Sequence, residues 1–196
     1  MLIGLMVRVS LLIALVGVMP VQAGTQACWD FNQYDGDARR IKADSGEGDL
    51  VLGEDWNERS VSNPSGTKLN MTEPETAGMA LSLSGMARNG KQFELFLPVE
   101  ACGGTKVSAA VRRSGTGFST LRMAISVDGG KTFREGPVWS IGETWAVHSA
   151  DLPLAEPSSQ LILRFEVDGA SSSRGTILLD NLKIACQREG SKKLEE

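Results

Sequence analysis

From Met79 onward, apolar and polar residues alternate with a period of two. Met79, Leu81 and Leu83 alternate with Ala80, Ser82 and Ser84 until Gly85 ends the run. Phe93, Leu95 and Leu97 alternate with Gln92 and Glu94 before Pro98, and Val107, Ala109 and Val111 with Lys106, Ser108, Ala110 and Arg112. Leu121, Met123, Ile125 and Val127 share one face, with Arg122, Ala124 and Ser126 on the other and Gly129 and Gly130 after them. Trp145 and Val147 lead into a short strand ending near Leu152. The cleanest run sets Leu161, Leu163, Phe165 and Val167 against Ile162, Arg164, Glu166 and Asp168. Short alternating runs bounded by Gly, Pro and Ser predict strands with one buried face. No helix of useful length is expected beyond the first residues, so the fold class is all-β, an antiparallel sandwich or a barrel.

The closing stretch Ile177 to Cys186, ILLDNLKIAC, places Leu178, Leu182, Ile184 and Cys186 on one face with Asp180 among them. A carboxylate in an apolar face must be neutralised, hydrogen-bonded or set against a cation. An opening counterpart, ACWDFN from Ala27 to Asn32, also carries a Cys and an Asp. These two terminal strands are expected to pair and close the sheet. Between them, residues 33 to 78 are rich in Gly, Asp, Glu, Ser, Asn and Pro, with one short apolar stretch, Leu50 to Leu52. The region is predicted to be a long loop with one or two short strands and a candidate ligand-facing surface. Asn70, Met71 and Thr72 form an N-glycosylation sequon, meaningful only in a glycosylating host.

Length suits one domain. Residues 1–23 have the form of a secretory signal: Arg8, the apolar run Leu11 to Met19, and the small-residue end Val21, Gln22, Ala23. An uncleaved anchor is the rival reading. Cleavage leaves a domain over 24–187, a charged tail over 188–196, and a chain that is secreted or periplasmic without stable membrane insertion. It also removes one cation, leaving 19 basic against 24 acidic residues and a formal charge of about −5. That balance, without a basic patch interleaved with aromatics, excludes nucleic acid as an expected partner. Cys28, Cys102 and Cys186 remain; an exported chain can hold one bridge among them with a thiol left over. Their spacing is no zinc signature, and His148 is the only histidine.

Ser126, Asp128, Gly130 and Phe133 in SVDGGKTF match the spacing of an Asp box, which caps a hairpin through side-chain bonds to turn amides. A single copy reads as a turn. Asp30 and Asp180 are the metal candidates, because calcium accepts carboxylates together with backbone carbonyls. The alternative for Asp180 is a lock that accepts backbone N–H groups and pins a loop to the sheet. Trp56 and Trp139 lie in polar, turn-rich surroundings and are the candidate sugar-stacking rings, whereas Trp29 and Trp145 are expected in the core. His148 reads as a surface imidazole. No nucleophile elbow, phosphate loop or HExxH motif is present, which favours a non-enzyme.

CWDFN, the segment from Cys102 through SGTGFSTLRMAISV, GETWAVHSADL and GTILLDNLKIAC together resemble the MAM domains and related carbohydrate-binding jelly-roll modules of secreted proteins. The resemblance runs from Cys28 to Cys186, with Trp29 inserted and Asn32 in place of an acidic residue. It implies a jelly roll, a structural calcium ion held through Asp30 and Asp180, a bridge between Cys102 and Cys186, and a binding or adhesive role without catalysis. Antiparallel terminal strands would instead bring Cys28 towards Cys186, so the partner of Cys186 stays open. The expected function is a non-catalytic module that binds a polysaccharide or other glycan. The alternatives are an adhesion or envelope-assembly module that binds a cell-surface protein, and a small polysaccharide-cleaving enzyme.

Overall fold

The computed structural model describes residues 24–36, 39–71, 77–98, 104–153 and 160–187. The signal segment, the charged tail and Cys102 lie outside them. The described strands are β1 (Gly24–Trp29), β2 (Arg40–Lys42), β3 (Ser45–Gly46), β4 (Asp49–Leu52), β5 (Val61–Ser62), β6 (Leu81–Ser84), β7 (Lys91–Pro98), β8 (Gly104–Arg113), β9 (Thr120–Ser126), β10 (Arg134–Ser140), β11 (Ala146–Pro153), β12 (Gln160–Asp168) and β13 (Thr176–Gln187). One three-residue 3-10 turn, Met86–Arg88, is the only helical element among the described residues. None of their helices is long and apolar enough to cross a membrane.

Two antiparallel sheets form a sandwich. The first runs β11-β8-β13-β1-β3, with β6 and β5 continuing it beside the early half of β13; the second runs β10-β9-β12-β7-β4-β2. From β7 to β13 the chain repeatedly changes sheets, as in a jelly roll. Alternation explains the layers: Leu95, Leu97, Val107, Val111, Leu121, Met123, Leu161, Leu163, Phe165 and Val167 all face one shared core. Phe93 and Phe165, directly opposite on β7 and β12, stack with ring centroids 5.0 Å apart. Such a pair adds about 0.5–1.5 kcal/mol beyond its burial. The supposed long loop over 33–78 contributes four short strands, β2 to β5, which extend both sheets.

The terminal strands pair as expected: Trp29 faces Leu182 and Ala27 faces Ile184, all four fully buried. Cys28 therefore faces Lys183, while Gly24 faces Cys186. That register keeps Cys28 away from Cys186, and Cys28 remains a buried thiol.

Asp180 does not lie in the core face. A bulge between Asp180 and Lys183 sets Asn181 at φ 47° and slips the alternation by one residue. Ile177 and Leu179 face the core before the bulge, and Leu182 and Ile184 after it. Leu178 and Asp180 consequently turn to the outer side of the sheet. The bulge sits where the partner of β13 changes from β6 to β1.

Candidate functional site

A sandwich presents two outer faces, and here they differ. The outer register of the β13 sheet is largely covered: Ala110, Leu178, Asp180 and Cys28 are all buried. Residues 63–71 and 77–80 cross this face, joined by Gly66 N–H to the Gly78 carbonyl at 2.8 Å and Ala80 N–H to the Pro64 carbonyl at 2.8 Å.

The bulge holds that covering segment in place. Thr67 N–H donates to Asp180 Oδ2 at 2.7 Å and Asn181 N–H to Asp180 Oδ1 at 2.8 Å. Asn181 Nδ2 donates to the carbonyls of Thr67 and Leu69, each at 2.9 Å. Asn70 Nδ2 returns a bond to the Asn181 carbonyl at 2.7 Å. The sequon asparagine is thus already spent on a structural bond. Gly66 is required because a β-carbon there would overlap Asp180 Oδ2 and the Met79 carbonyl. Asp180 is 1% exposed, and burial, with the Asp30 carboxylate adding to it, pushes its carboxyl up to about 6. Asp44, which accepts the N–H groups of Asp30 and Phe31, is also raised, by burial first and then by Asp30. Among the described residues no group of three or more His, Cys, Asp or Glu side chains is placed to hold a metal ion.

Among the described residues the outer face of the β12 sheet is the more open one, although Ile162 and Ser126 are buried beside the β9–β10 hairpin. Cross-strand register lines up Arg40, Val51, Glu94, Arg164 and Ala124 in one row. Lys42, Asp49, Phe96, Ile162 and Ser126 form the next, and Gln92, Glu166 and Arg122 flank the first on its other side. Ion pairs join neighbours: Arg40 to Asp49 at 2.8 Å, Arg164 to Glu94 at 2.8 Å, and Arg122 to Glu166 at 3.3 Å. Two half-buried aromatic rings lie among them, each with a guanidinium against one face. Arg164 lies 3.4 Å from the Phe133 ring centroid and Arg40 lies 6.0 Å from that of Phe96. Beside this face a groove of about 370 Å³ is lined by Val51, Gly53, Asp55, Lys91, Gln92 and Glu94, among others. Apolar ring surface set among fixed donors and acceptors suits a hydroxylated ligand with an apolar ring face.

The Asp-box residues build one corner of this surface. Ser126 Oγ donates to Asp128 Oδ1 at 2.7 Å, and Asp128 accepts Thr132 N–H at 3.0 Å and Thr132 Oγ1–H at 2.6 Å. Those Thr132 bonds hold the Asp128 carboxyl well below the usual carboxylate range. Gly129 and Gly130 take φ of 74° and 86°. The result is the β9–β10 hairpin, which carries Phe133 back over the sheet.

The tryptophans are placed otherwise than expected. Trp56 is 0% exposed, its ring edge-on to Phe118 and its Nε1–H bonded to the Gln92 carbonyl at 2.8 Å. Trp139 is 5% exposed and lies 5.4 Å from the His148 ring. Neither ring offers a face to a sugar: polar neighbours in the chain turn outward while the indole turns into the sandwich. Trp29 is in the core as expected, whereas Trp145 is half-buried beneath Arg112. His148 faces inward from β11 opposite Ala109, and burial holds its pKa below the usual imidazole value. Phe96 and Phe133 were missed. Phe96 had a legible signal, an aromatic in the outward register between Leu95 and Leu97.

No model of a known family matches the sequence, and a search of characterised proteins finds no match. Solved structures do match. The CBM22-1 xylan-binding domain from Paenibacillus barcinonensis Xyn10C aligns with a TM-score of 0.52 at 13% identity, covering 86% of this chain and 97% of that domain. The two share a jelly-roll fold. The tandem CBM22-1–CBM22-2 domain of the same protein aligns with a TM-score of 0.52 at 13% identity, over 89% of this chain and 48% of the tandem. At that identity the likeness is one of fold.

Proposed function

We propose that this chain is a non-catalytic glycan-binding module of an exported protein, and that the outer face of the β12 sheet is its binding surface. The carrying observation is the pairing of Phe96 and Phe133 with Arg40 and Arg164 on the outer face of the β12 sheet, where Arg164 and Glu94 stay partly exposed. Xylan binding by a protein of the same fold supports the ligand class. Aromatic carbon takes the apolar face of a pyranose ring while the flanking carboxylates and guanidinium groups exchange hydrogen bonds with its hydroxyls.

The test is electrophoresis of the purified chain through gels containing xylan, β-1,4-galactan or no polysaccharide. Retardation in one of the polysaccharide gels, reduced in Phe96→Ala, is the expected result. Equal mobility in all of them removes the reading.

A calcium ion held by Asp30 and Asp180 belongs to the same proposal as a structural element, because it would offset the repulsion between two neighbouring carboxylates. A bridge from Cys102 to Cys186 belongs to it as well. Chelator-sensitive stability tests the first, and mass spectrometry of the unreduced digest the second.

A further inference from the structure

Most of the described cations of this outer face are matched by carboxylates. Besides the three ion pairs described above, Arg122 reaches Asp168 at 3.7 Å and Lys91 reaches Asp55 at 2.9 Å. Lys42, on the outermost strand, stands apart from these pairs. Arg164 is the most constrained member. Its Nε and Nη2 both lie 2.8 Å from Glu94 Oε1, and one face of its guanidinium rests on Phe133. Ile162 lies beside it, opposite Phe96 across the β7–β12 ladder. One edge and one face of the guanidinium plane are therefore fixed, while the side chain keeps 31% exposure and Glu94 26%. A planar group locked in this way presents a flat surface with hydrogen-bond donors at its rim.

We infer that the stacked Arg164–Phe133 pair forms the sugar-facing plane of the site, and that Glu94 makes the site select uncharged chains over uronate-bearing ones. This rests on the glycan-binding reading and goes beyond it by naming the ligand's charge class. The stacked pair takes the place that an exposed indole would fill, since both buried candidate tryptophans are excluded from it. Glu94 does two things. It holds the guanidinium against the Phe133 ring, and it cancels the charge that would otherwise draw a carboxylated polymer onto the face. The Asp-box bonds position Phe133, so the hairpin acts through that ring rather than on the ligand.

Affinity electrophoresis of the full chain against xylan, β-1,4-galactan and polygalacturonate tests this, with Arg164→Lys, Phe133→Leu and Glu94→Gln alongside wild type. Lysine keeps the charge and its reach to Glu94 but loses the plane. Affinity for the neutral polymer that binds wild type is expected to fall about tenfold or more in Arg164→Lys, and also to fall in Phe133→Leu. Glu94→Gln is expected to acquire salt-sensitive binding to polygalacturonate. A gain of binding cannot arise from misfolding, and unchanged thermal midpoints exclude it for the other two. Wild type that binds a neutral polymer while all three variants match it in every gel overturns this inference and leaves the glycan reading standing. Wild type that binds polygalacturonate as tightly as a neutral polymer overturns the charge selection. Wild type retarded by none of them removes both.

Discussion

Replacing Asp180 by Asn separates two roles that one carboxylate performs at the bulge. The carboxyl is pushed up from 3.8 to about 6 by burial and by Asp30. The folded state therefore holds this proton more tightly than the unfolded chain does. Its stabilising contribution is fully present below about pH 4 and is lost as pH rises through about 6. A shift of about two units corresponds to roughly 3 kcal/mol at most, and less where water screens the charge. Asparagine does not titrate, so that pH-dependent loss disappears in the variant. It does replace one acceptor oxygen by a donor amide, leaving either Thr67 N–H or Asn181 N–H facing an NH₂ group, which costs about 1–3 kcal/mol at every pH. The variant should be the less stable protein near pH 4, with the gap closing or reversing near pH 7.5. Urea unfolding followed by tryptophan fluorescence, with chelator present, measures this. A difference between wild type and variant that is the same at both pH values would refute the assignment of a raised carboxyl at this position. Calcium added near pH 7.5 should then raise the wild-type midpoint and leave the variant unmoved if Asp30 and Asp180 hold the ion.

Gly66→Ala should destabilise by about 1–3 kcal/mol, because the added methyl must displace the Asp180 carboxylate or the Met79 backbone; urea midpoints measure it, and a neutral result would mean the covering loop is not pinned there. His148 is held neutral by burial, so its contribution is complete above about pH 6.5 and is lost as pH falls below that value. His148→Leu should flatten the acid limb of a thermal-midpoint curve. Trp56→Ala should cost about 3–5 kcal/mol of stability as a core truncation, whereas loss of glycan affinity with stability intact would contradict its burial.

The strand pattern was legible because burial on one side of a sheet imposes a period of two on neighbouring residues, and the cleanest runs are indeed the central strands β7, β8, β9 and β12. The Asp box was legible for the same local reason: a turn is stabilised by side chains two to four residues away. Asp180 does need partners, as a carboxylate within an apolar run predicts, but it lies on the opposite face from the one its spacing predicts. Alternation carries its phase only as far as the next bulge, and nothing local in LLDNLK marks where β13 exchanges β6 for β1. Trp56 and Trp139 turn inward for a different reason. Polar neighbours report where the backbone runs, whereas the placement of a large ring depends on the space left at the end of the sandwich and on a distant acceptor such as the Gln92 carbonyl, 36 residues away in the chain.

By itself the chain determined an all-β fold and a turn competent to carry Phe133, since each follows from interactions between residues near in sequence or from a uniform requirement to bury alternate side chains. Only the tertiary structure decided which sheet face is covered by residues 63–71 and 77–80, which aromatics are core, and which guanidinium lies against which ring. Those outcomes depend on register between strands and on packing across about 10 Å of sandwich, and neither is written in the spacing of residues along one strand.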